Sequence, residues 1–323
     1  MLAKLLMQNR RLARSKIYIF MRPTMNRRWL FAFTFPLFLI SVSLVHGQDT
    51  KCPECAVWNA PQAPLRIYGN TYYVGPHGLS SILVTSDAGH VLMDGALPES
   101  APQIAANIRS LGFRLEDVKL IVNTHVHFDH AGGIAELQRL SGARVVASPW
   151  SAEVLSKTGS GRGDPQYGSI QRITLVPHVD TLRDGETFHV GNISVTAHLT
   201  PGHTPGGTSW TWRSCENGRC LDMVYADSVT PVSGDGFKFS ASTEYPDAVK
   251  DFERTFAFLD KVPCDIVLTT HPDASGFWRR VEERRKGASP DPMIDPTACR
   301  QLADRAREQL RERLADEAKK PQN

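Results

Sequence analysis

The apolar residues of this chain follow two patterns. The runs at 118–122 and 265–270 are short with apolar centres, as in buried strands, and 193–197 alternates apolar and polar side chains, as in a half-buried strand. Apolar residues recur at helical spacing at 102–111 and at 248–259. Strand patterns at 81–84 and 90–93 precede the first helical pattern, and those at 187–213 and 221–226 precede the second, so the order of strands and then a helix occurs twice. This order predicts a layered α/β fold.

Directly after the run at 118–122 lies a cluster of metal-binding residue types. Within six positions the chain places His125, His127, Asp129 and His130. Because successive side chains of an extended segment point to opposite faces, we expect His125, His127 and Asp129 to share one side, with His130 turned away at the start of a helix. Imidazoles and a carboxylate without a thiolate suit catalytic zinc. The motif therefore predicts a two-zinc site.

Four ligands cannot fill two coordination spheres, so others must come from later in the chain. His203 follows the alternating run at 193–197, and His271 follows the run at 265–270. Since loops at the carboxyl ends of strands converge on one crevice in such folds, both are candidate ligands. A single histidine after a strand is also often an ordinary surface or core residue. We interpret five histidines in that way: His77, His90, His178, His189 and His198.

Four motifs carry a resemblance to a known family. They are H-V-H-F-D-H-A-G-G at 125–133, T-P-G-H-T-P-G-G-T-S-W-T-W at 200–212, Y-A-D-S at 225–228 and T-T-H-P at 269–272. From about Pro64 to the last helix, the chain resembles the metallo-β-lactamase superfamily, and more narrowly class B, subclass 3. This resemblance implies an α/β fold, the αββα four-layer sandwich, with the metals at the edge between the two sheets.

The resemblance also implies a role for each candidate ligand. The first zinc ion would be held by His125, His127 and His203, and the second by Asp129, His130 and His271. Other lactamase subclasses have Cys at the position of Ser228 and Arg at that of Phe128, or Asn at that of His125, and this chain has neither departure. All six ligand positions carry the expected residue type.

The implied activity is zinc-dependent hydrolysis of the β-lactam amide bond in penicillins, cephalosporins and carbapenems, which confers antibiotic resistance. A metal-bound hydroxide oriented by Asp129 would attack without a covalent intermediate, and the chain has no Ser-x-x-Lys nucleophile motif. By the same resemblance, Ser228 and Thr230 would bind the substrate carboxylate and Gln166 would line the mouth of the site. Ordinary turn chemistry is the alternative explanation for Ser228 and Thr230.

Two other functions remain open. In related hydrolases such as lactonases and thioester hydrolases, an Asp after the equivalent strand bridges the metals, and Asp227 lies one position before Ser228. A secreted zinc-binding protein without catalysis would use the same ligands. The exported context and the motif at 200–212 favour the lactamase.

The first 47 residues are typical of a signal peptide. They hold eight Lys and Arg, no Asp or Glu, and the apolar run 29–44 before a small-residue cleavage site. Met21 and Met25 are alternative start sites. We therefore expect export to the periplasm, a single domain at 48–323, and no stable membrane anchor.

Removal of residues 1–47 reverses the sign of the net charge. The remainder has 29 Lys and Arg against 34 Asp and Glu, a net charge of −5, where the whole chain has +3. With no basic stripe, we expect no nucleic-acid partner, and instead a monomer acting on a small-molecule β-lactam. The arginines of one segment alternate with Glu282 and Glu283, which predicts a solvated helix face: Arg279, Arg280, Arg284 and Arg285.

The six cysteines indicate an oxidising compartment. Cys215 and Cys220 flank a predicted turn, as in a disulfide-bridged hairpin. By resemblance, Cys264 and Cys299 would join the last core strand to the C-terminal helix. Some relatives pair a cysteine near Cys52 with one in the loop where this chain has His77. Cys52 and Cys55 could therefore either form a disulfide with each other or be free thiols.

Overall fold

The computed structural model describes residues 52–319. The predicted signal peptide and the start sites Met21 and Met25 lie outside this range. Within it, none of the helices is both long and apolar enough to cross a membrane.

Seven strands form the first sheet, in the order of the sequence. Neighbouring strands are antiparallel from β1 to β4 and parallel from β4 to β7. The strand β5 buries four of its five residues, in agreement with its apolar pattern. The bounds are β1 Leu65–Tyr68, β2 Thr71–Tyr73, β3 Ile82–Ser86, β4 Gly89–Met93, β5 Val118–Val122, β6 Arg144–Ala147 and β7 Asp180–Thr181.

Five strands form the second sheet, in the order β12-β11-β10-β9-β8. Strands β8 to β11 pair antiparallel, and β12 lies parallel to β11. Buried residues alternate with more exposed ones along β9, as its sequence predicts. The bounds are β8 Thr187–Val190, β9 Ile193–Leu199, β10 Thr208–Glu216, β11 Arg219–Ala226 and β12 Ile266–Thr269.

Helices cover the outer faces of both sheets. The α-helices are α1 Cys55–Trp58, α2 Ala101–Ser110, α3 Phe128–Ala131, α4 Ile134–Ser141, α5 Pro149–Glu153, α6 Ala248–Lys261, α7 Phe277–Arg285 and α8 Ala298–Lys319. Short 3₁₀ turns lie at Pro98–Ser100, Leu115–Asp117 and Pro272–Ser275, and a π-helical turn lies at Val154–Thr158. Helices α2 and α6 match the two helical patterns of the sequence closely.

The core consists of three apolar clusters that define four layers. Between the sheets, Met93 and Val122 of the first pack with Trp210 and Tyr225 of the second. Helices α2 and α4 pack on the outer face of the first sheet, and α6 and α8 on that of the second. The αββα sandwich expected from the sequence is therefore confirmed.

All six cysteines are paired. The structure joins Cys215 to Cys220 across the β10–β11 hairpin, and Cys264, before β12, to Cys299 in the first turn of α8. It also joins Cys52 to Cys55 at the start of α1, so neither residue is a free thiol.

The arginines of α7 differ from the expected solvated face. Arg280 is only 8% exposed and pairs with Asp295. Arg284 is half-buried, pairs with Asp291 and donates to the carbonyl of Ile67. The prediction is thus wrong for these two residues, because each finds a carboxylate in the segment that leads from α7 to α8.

Candidate metal centre

Three histidines lie together at the carboxyl ends of strands. His125 and His127 follow β5, and His203 follows β9. Their ligand atoms lie within 4.8 Å of one another, and Nε2 of His203 is 3.2 Å from Nδ1 of His127. All three side chains are buried. We call this set the first cluster.

A second cluster lies directly beside it. Asp129 and His130 belong to α3, and His271 follows β12. Oδ2 of Asp129 is 3.1 Å from Nε2 of His130 and 3.2 Å from Nε2 of His271. The rings of His125 and His130 have centroids 4.5 Å apart, so the two clusters are in contact.

The start of α3 determines which cluster Asp129 joins. The chain is extended at His127 and helical from Phe128, so the alternation of an extended segment stops there. Successive residues of a helix are rotated by about 100° rather than 180°. The structure consequently groups Asp129 with His130 and His271, and the expectation that Asp129 shares a side with His125 and His127 is wrong.

In each histidine of the first cluster, one ring nitrogen, which we call the outer one, contacts a hydrogen-bond acceptor. The other ring nitrogen, the inner one, is the proposed metal-binding atom. The pairs are His125 Nδ1 with Asp227 Oδ1 at 2.7 Å, His127 Nε2 with Asp164 Oδ2 at 2.9 Å, and His203 Nδ1 with the carbonyl of Thr230 at 2.8 Å. A proton on the outer nitrogen leaves a lone pair on the inner one, and the outer contact fixes the ring. These contacts direct the inner nitrogens of the three rings toward one point.

The spacing of the donor atoms fits a metal ion. Two ligands that each lie about 2.0–2.1 Å from one tetrahedral zinc ion are about 3.3 Å apart. In the second cluster, Nε2 of His130 and Nε2 of His271 are 3.2 Å apart. In the first, Nε2 of His125 is buried and has no hydrogen-bond partner in the described part of the chain. The fold and these groups imply a bound metal, and the donor set is one that zinc prefers.

Burial and neighbouring charges keep His125, His203 and Asp129 in the protonation states that bind metal, whereas the Asp164 carboxylate outweighs burial and raises the pKa of His127. Burial, together with the nearby His130, holds the pKa of His125 well below its usual value, and burial with His127 lowers that of His203 to about 3. Burial opposes ionisation of Asp129, but His130 and His271 hold its pKa well below the usual range. Neutral imidazoles and an ionised carboxylate are the forms that bind metal.

The residues expected to contact substrate all lie beside the two clusters. Oγ of Ser228 is 2.8 Å from Oγ1 of Thr270, and Nε2 of Gln166 is 3.4 Å from Nδ1 of His127. The carbonyl of Thr230 is 2.8 Å from Nδ1 of His203, and its hydroxyl is 3.5 Å from the same nitrogen.

A cavity of about 460 Å³ adjoins these residues, within the range of small-molecule sites. Its wall comes from the segments after β11 and β12 and from α8, and includes Ser228, Thr230, Thr270, His271, Leu302 and Arg305. The cavity therefore reaches from a proposed metal ligand to the C-terminal helix.

Two residues near the ligands were not identified from the sequence. Asp164 binds the outer nitrogen of His127, although it lies 37 positions away along the chain. Trp58 of α1 lies against His271, with ring centroids 5.3 Å apart. An Asp inside a Gly-rich loop is a weak signal for Asp164, and nothing in the local sequence around Trp58 indicates its contact.

The chain is similar to known proteins of one family. The profile of the Metallo-beta-lactamase superfamily matches residues 74–272. The chain is 56% identical to the solved structure of the Rm3 metallo-beta-lactamase, with a TM-score of 0.81, over 83% of this chain and 100% of that one. It is 51% identical to MEM-A1, a subclass B3 metallo-beta-lactamase isolated from a soil metagenome library, with a TM-score of 0.79, over 81% of this chain and 98% of that one.

Curated sequence relatives are more distant. A hydroxyacylglutathione hydrolase of Methylococcus capsulatus is 28% identical over 211 residues, which are 61% of this chain and 71% of that protein. The chain spans 59%, 71% and 32% of the first three curated relatives that it matches. Because the family profile covers more than half of its length, the chain belongs to the metallo-β-lactamase superfamily, as a hydrolase of that class with subclass B3 enzymes among its structural neighbours.

Proposed function

We propose that this protein is a β-lactamase that binds two zinc ions and hydrolyses the amide bond of penicillins, cephalosporins and carbapenems. The first zinc ion would be bound by His125, His127 and His203, and the second by Asp129, His130 and His271. Such an activity would confer antibiotic resistance. The similarity to Rm3 and MEM-A1 over almost their whole length supports this substrate class.

The orientation of Asp227 is the observation that favours a β-lactamase over a thioester hydrolase. A bridging carboxylate would have to face both metal positions. Here Oδ1 of Asp227 binds the outer nitrogen of His125, and Asp227 belongs to neither ligand group. Each group already has three donors without it. This arrangement favours the β-lactamase, even though hydroxyacylglutathione hydrolases are among the sequence relatives.

The proposed chemistry divides between the metal and the side chains. Zinc held by the two clusters would supply Lewis acidity and a water acidic enough to lose its proton near neutral pH. Asp129 lies in the second cluster, 3.2 Å from His271, and would orient the attacking water. Ser228 and Thr230 would hydrogen-bond the substrate carboxylate, and Gln166 would contact the substrate from the opposite loop. Since no side chain is needed as nucleophile, no covalent adduct should form.

The biological setting is proposed from the sequence and from the disulfides of the structure. The signal-peptide pattern at 1–47 and the pairing of all six cysteines support export to the periplasm. We further propose that the mature protein acts as a monomer on a small molecule.

One experiment tests the function directly. The purified chain from residue 48 is assayed for hydrolysis of a carbapenem, with and without a chelator, and in parallel for hydrolysis of S-lactoylglutathione. We expect carbapenem turnover that the chelator abolishes, that added zinc restores, and that clavulanate does not inhibit. Thioester turnover without carbapenem turnover would favour the alternative enzyme, and tight zinc uptake without any turnover would favour the non-catalytic protein.

A further inference from the structure

One connecting segment next to the first cluster has no regular structure. Residues 159–179, which we call the mouth loop, run from the π-helical turn to β7 without a helix or strand. Much of the segment from 160 to 170 is exposed or half-buried, but Asp164 is only 4% exposed. A buried carboxylate in such a loop requires hydrogen-bond partners.

Those partners belong to two different parts of the site. Both oxygens of Asp164 lie near Nε2 of His127, at 2.9 and 3.1 Å. Oδ1 of Asp164 also accepts a hydrogen bond from the backbone N–H of Gln166 at 2.8 Å. The same carboxylate therefore fixes the ring of His127 and the turn that carries Gln166.

The mouth loop is also joined to the segment that carries the other proposed substrate contacts. The carbonyl of Pro165, next to Asp164, accepts a hydrogen bond from the N–H of Gly234 at 3.0 Å. That glycine lies four residues after Thr230, whose carbonyl binds His203. His127 thus contacts the mouth loop, and His203 contacts the segment that follows β11. These two segments are hydrogen-bonded to each other.

From this arrangement we propose that Asp164 is a positioning residue that couples metal binding at the first cluster to the order of the mouth loop. A metal ion on Nδ1 polarises the imidazole of His127 and strengthens its Nε2–H as a donor. The stronger hydrogen bond fixes the Asp164 carboxylate, which in turn accepts the hydrogen bond from the backbone N–H of Gln166. By linkage, an ordered loop strengthens metal binding by the same factor by which the metal stabilises the loop. The proposal rests on the proposed function only in taking His127 as a metal ligand.

Two measurements test the coupling without any substrate. Zinc affinity is determined by competition with a chromophoric chelator, and amide hydrogen exchange is followed over 164–170 in the metal-free and zinc-loaded protein. We expect zinc to slow exchange at Gln166 in the wild type. Asp164→Ala should weaken one of two zinc equivalents by about 10–100-fold and abolish this slowing. Asp164→Asn, which keeps an acceptor oxygen, should fall between Ala and the wild type.

A matched control tests whether position matters. Asp180 lies at the other end of the same connection, where it is exposed and pairs with Arg144. Asp180→Asn should leave zinc affinity and the exchange of 164–170 unchanged.

A variant that changes no proposed ligand distinguishes coupling of zinc binding to loop order from mere support of the His127 ring by Asp164. Pro165→Gly loosens the mouth loop but leaves Asp164 and His127 intact. Coupling predicts that it weakens the same zinc equivalent by a measurable factor, about 2–5-fold for a loop change of 0.5–1 kcal/mol. Unchanged zinc affinity in Pro165→Gly, or zinc-independent exchange at Gln166 in the wild type, would overturn the proposal.

These outcomes are independent of the substrate. A protein that hydrolyses thioesters rather than β-lactams would still show coupled zinc binding and loop protection. A β-lactamase whose loop exchange ignores zinc would lose only this inference.

Discussion

The carboxylate of Asp227 lies 2.7 Å from Nδ1 of His125, and both side chains are fully buried. This contact turns Nε2 of His125 toward the other ligands of the first cluster. In lactonases and thioester hydrolases the equivalent Asp bridges the two metals. Here Asp227 instead contacts the outer ring nitrogen of His125.

Replacing Asp227 should therefore weaken one metal site and spare the other. In Asp227→Ala, we expect the affinity of one zinc equivalent to fall by about 10–100-fold, because His125 loses the partner that fixes its ring and tautomer. Zinc titration measures this, with Asp222→Asn on the exposed side of β11 as control. Simultaneous loss of both equivalents would indicate a bridging carboxylate.

Removing the hydroxyls of Ser228 and Thr230 should affect substrate binding and not metal binding. The double variant Ser228→Ala and Thr230→Ala keeps the Thr230 carbonyl that holds His203. We expect KM for a carbapenem to rise while kcat changes little, the pattern of lost uniform binding. Steady-state kinetics with metal analysis provide the check, and a preparation that binds one zinc ion fewer would refute this assignment.

Loss of Asp129 should remove one metal ion and most of the rate. Asp129→Ala leaves the first cluster complete, so one zinc equivalent should remain. The rate should fall by about 10²–10⁴-fold, because the group proposed to orient the water is lost. Asp87→Ala, an exposed carboxylate in the turn between β3 and β4, serves as the control. Full activity of Asp129→Ala would contradict the mechanism.

The bond between Cys264 and Cys299 should contribute more stability than the hairpin bond. It closes a separation of 35 residues, against 5 for Cys215 and Cys220. In the chain-entropy model these correspond to about 4 and about 2 kcal/mol, respectively. Denaturant unfolding of the paired Cys→Ser variants measures the difference, and equal losses would show that loop length does not govern it.

The carboxylate of Glu317 should make stability depend on pH in the acid range. It accepts hydrogen bonds from the backbone N–H groups of Phe239 and Ser240, and from the side chain of Arg313. Burial alone would raise the pKa of Glu317, but the contacts with Ser240 and Arg313 outweigh burial and lower it.

A lowered pKa in the folded state means that the contribution is full above the usual pKa of Glu and is lost as the pH falls through the folded-state value. Glu317→Gln should therefore cost about 1–3 kcal/mol at pH 7. The difference from the wild type should shrink below about pH 4.5. Urea unfolding at several pH values checks both statements, and a difference that is constant with pH would contradict them.

Much of the fold could be predicted because the responsible interactions are local. The apolar run of β5 and the alternation of β9 follow directly from which faces are buried. The position of Asp129 could not be predicted in this way, since it depends on where α3 begins. That start is a matter of one or two residues, which periodicity does not resolve.

The contacts that support the ligands were the hardest to foresee. His127 and Asp164 are 37 residues apart, and Arg280 reaches its carboxylate 15 residues further along the chain. Such pairs exist only once the loops have folded onto the sheets. The sequence around Asp164 contains no sign of its partner and gives no reason to place that residue at the site. The sequence around Arg280 likewise contains no sign of Asp295, so it predicts a solvated helix face.

The proposed ligands come from segments that follow strands of both sheets, and the last of them, His271, lies 146 positions after the first, His125. Three donors of either cluster can meet only after the two sheets have packed together, so an unfolded chain offers a metal ion far weaker binding. Binding to the folded state alone adds RT ln(1 + [Zn]/Kd) to the free energy of unfolding. Zinc scarcity would then reduce the amount of folded enzyme as well as its activity, and part of any inactivation by a chelator would be unfolding.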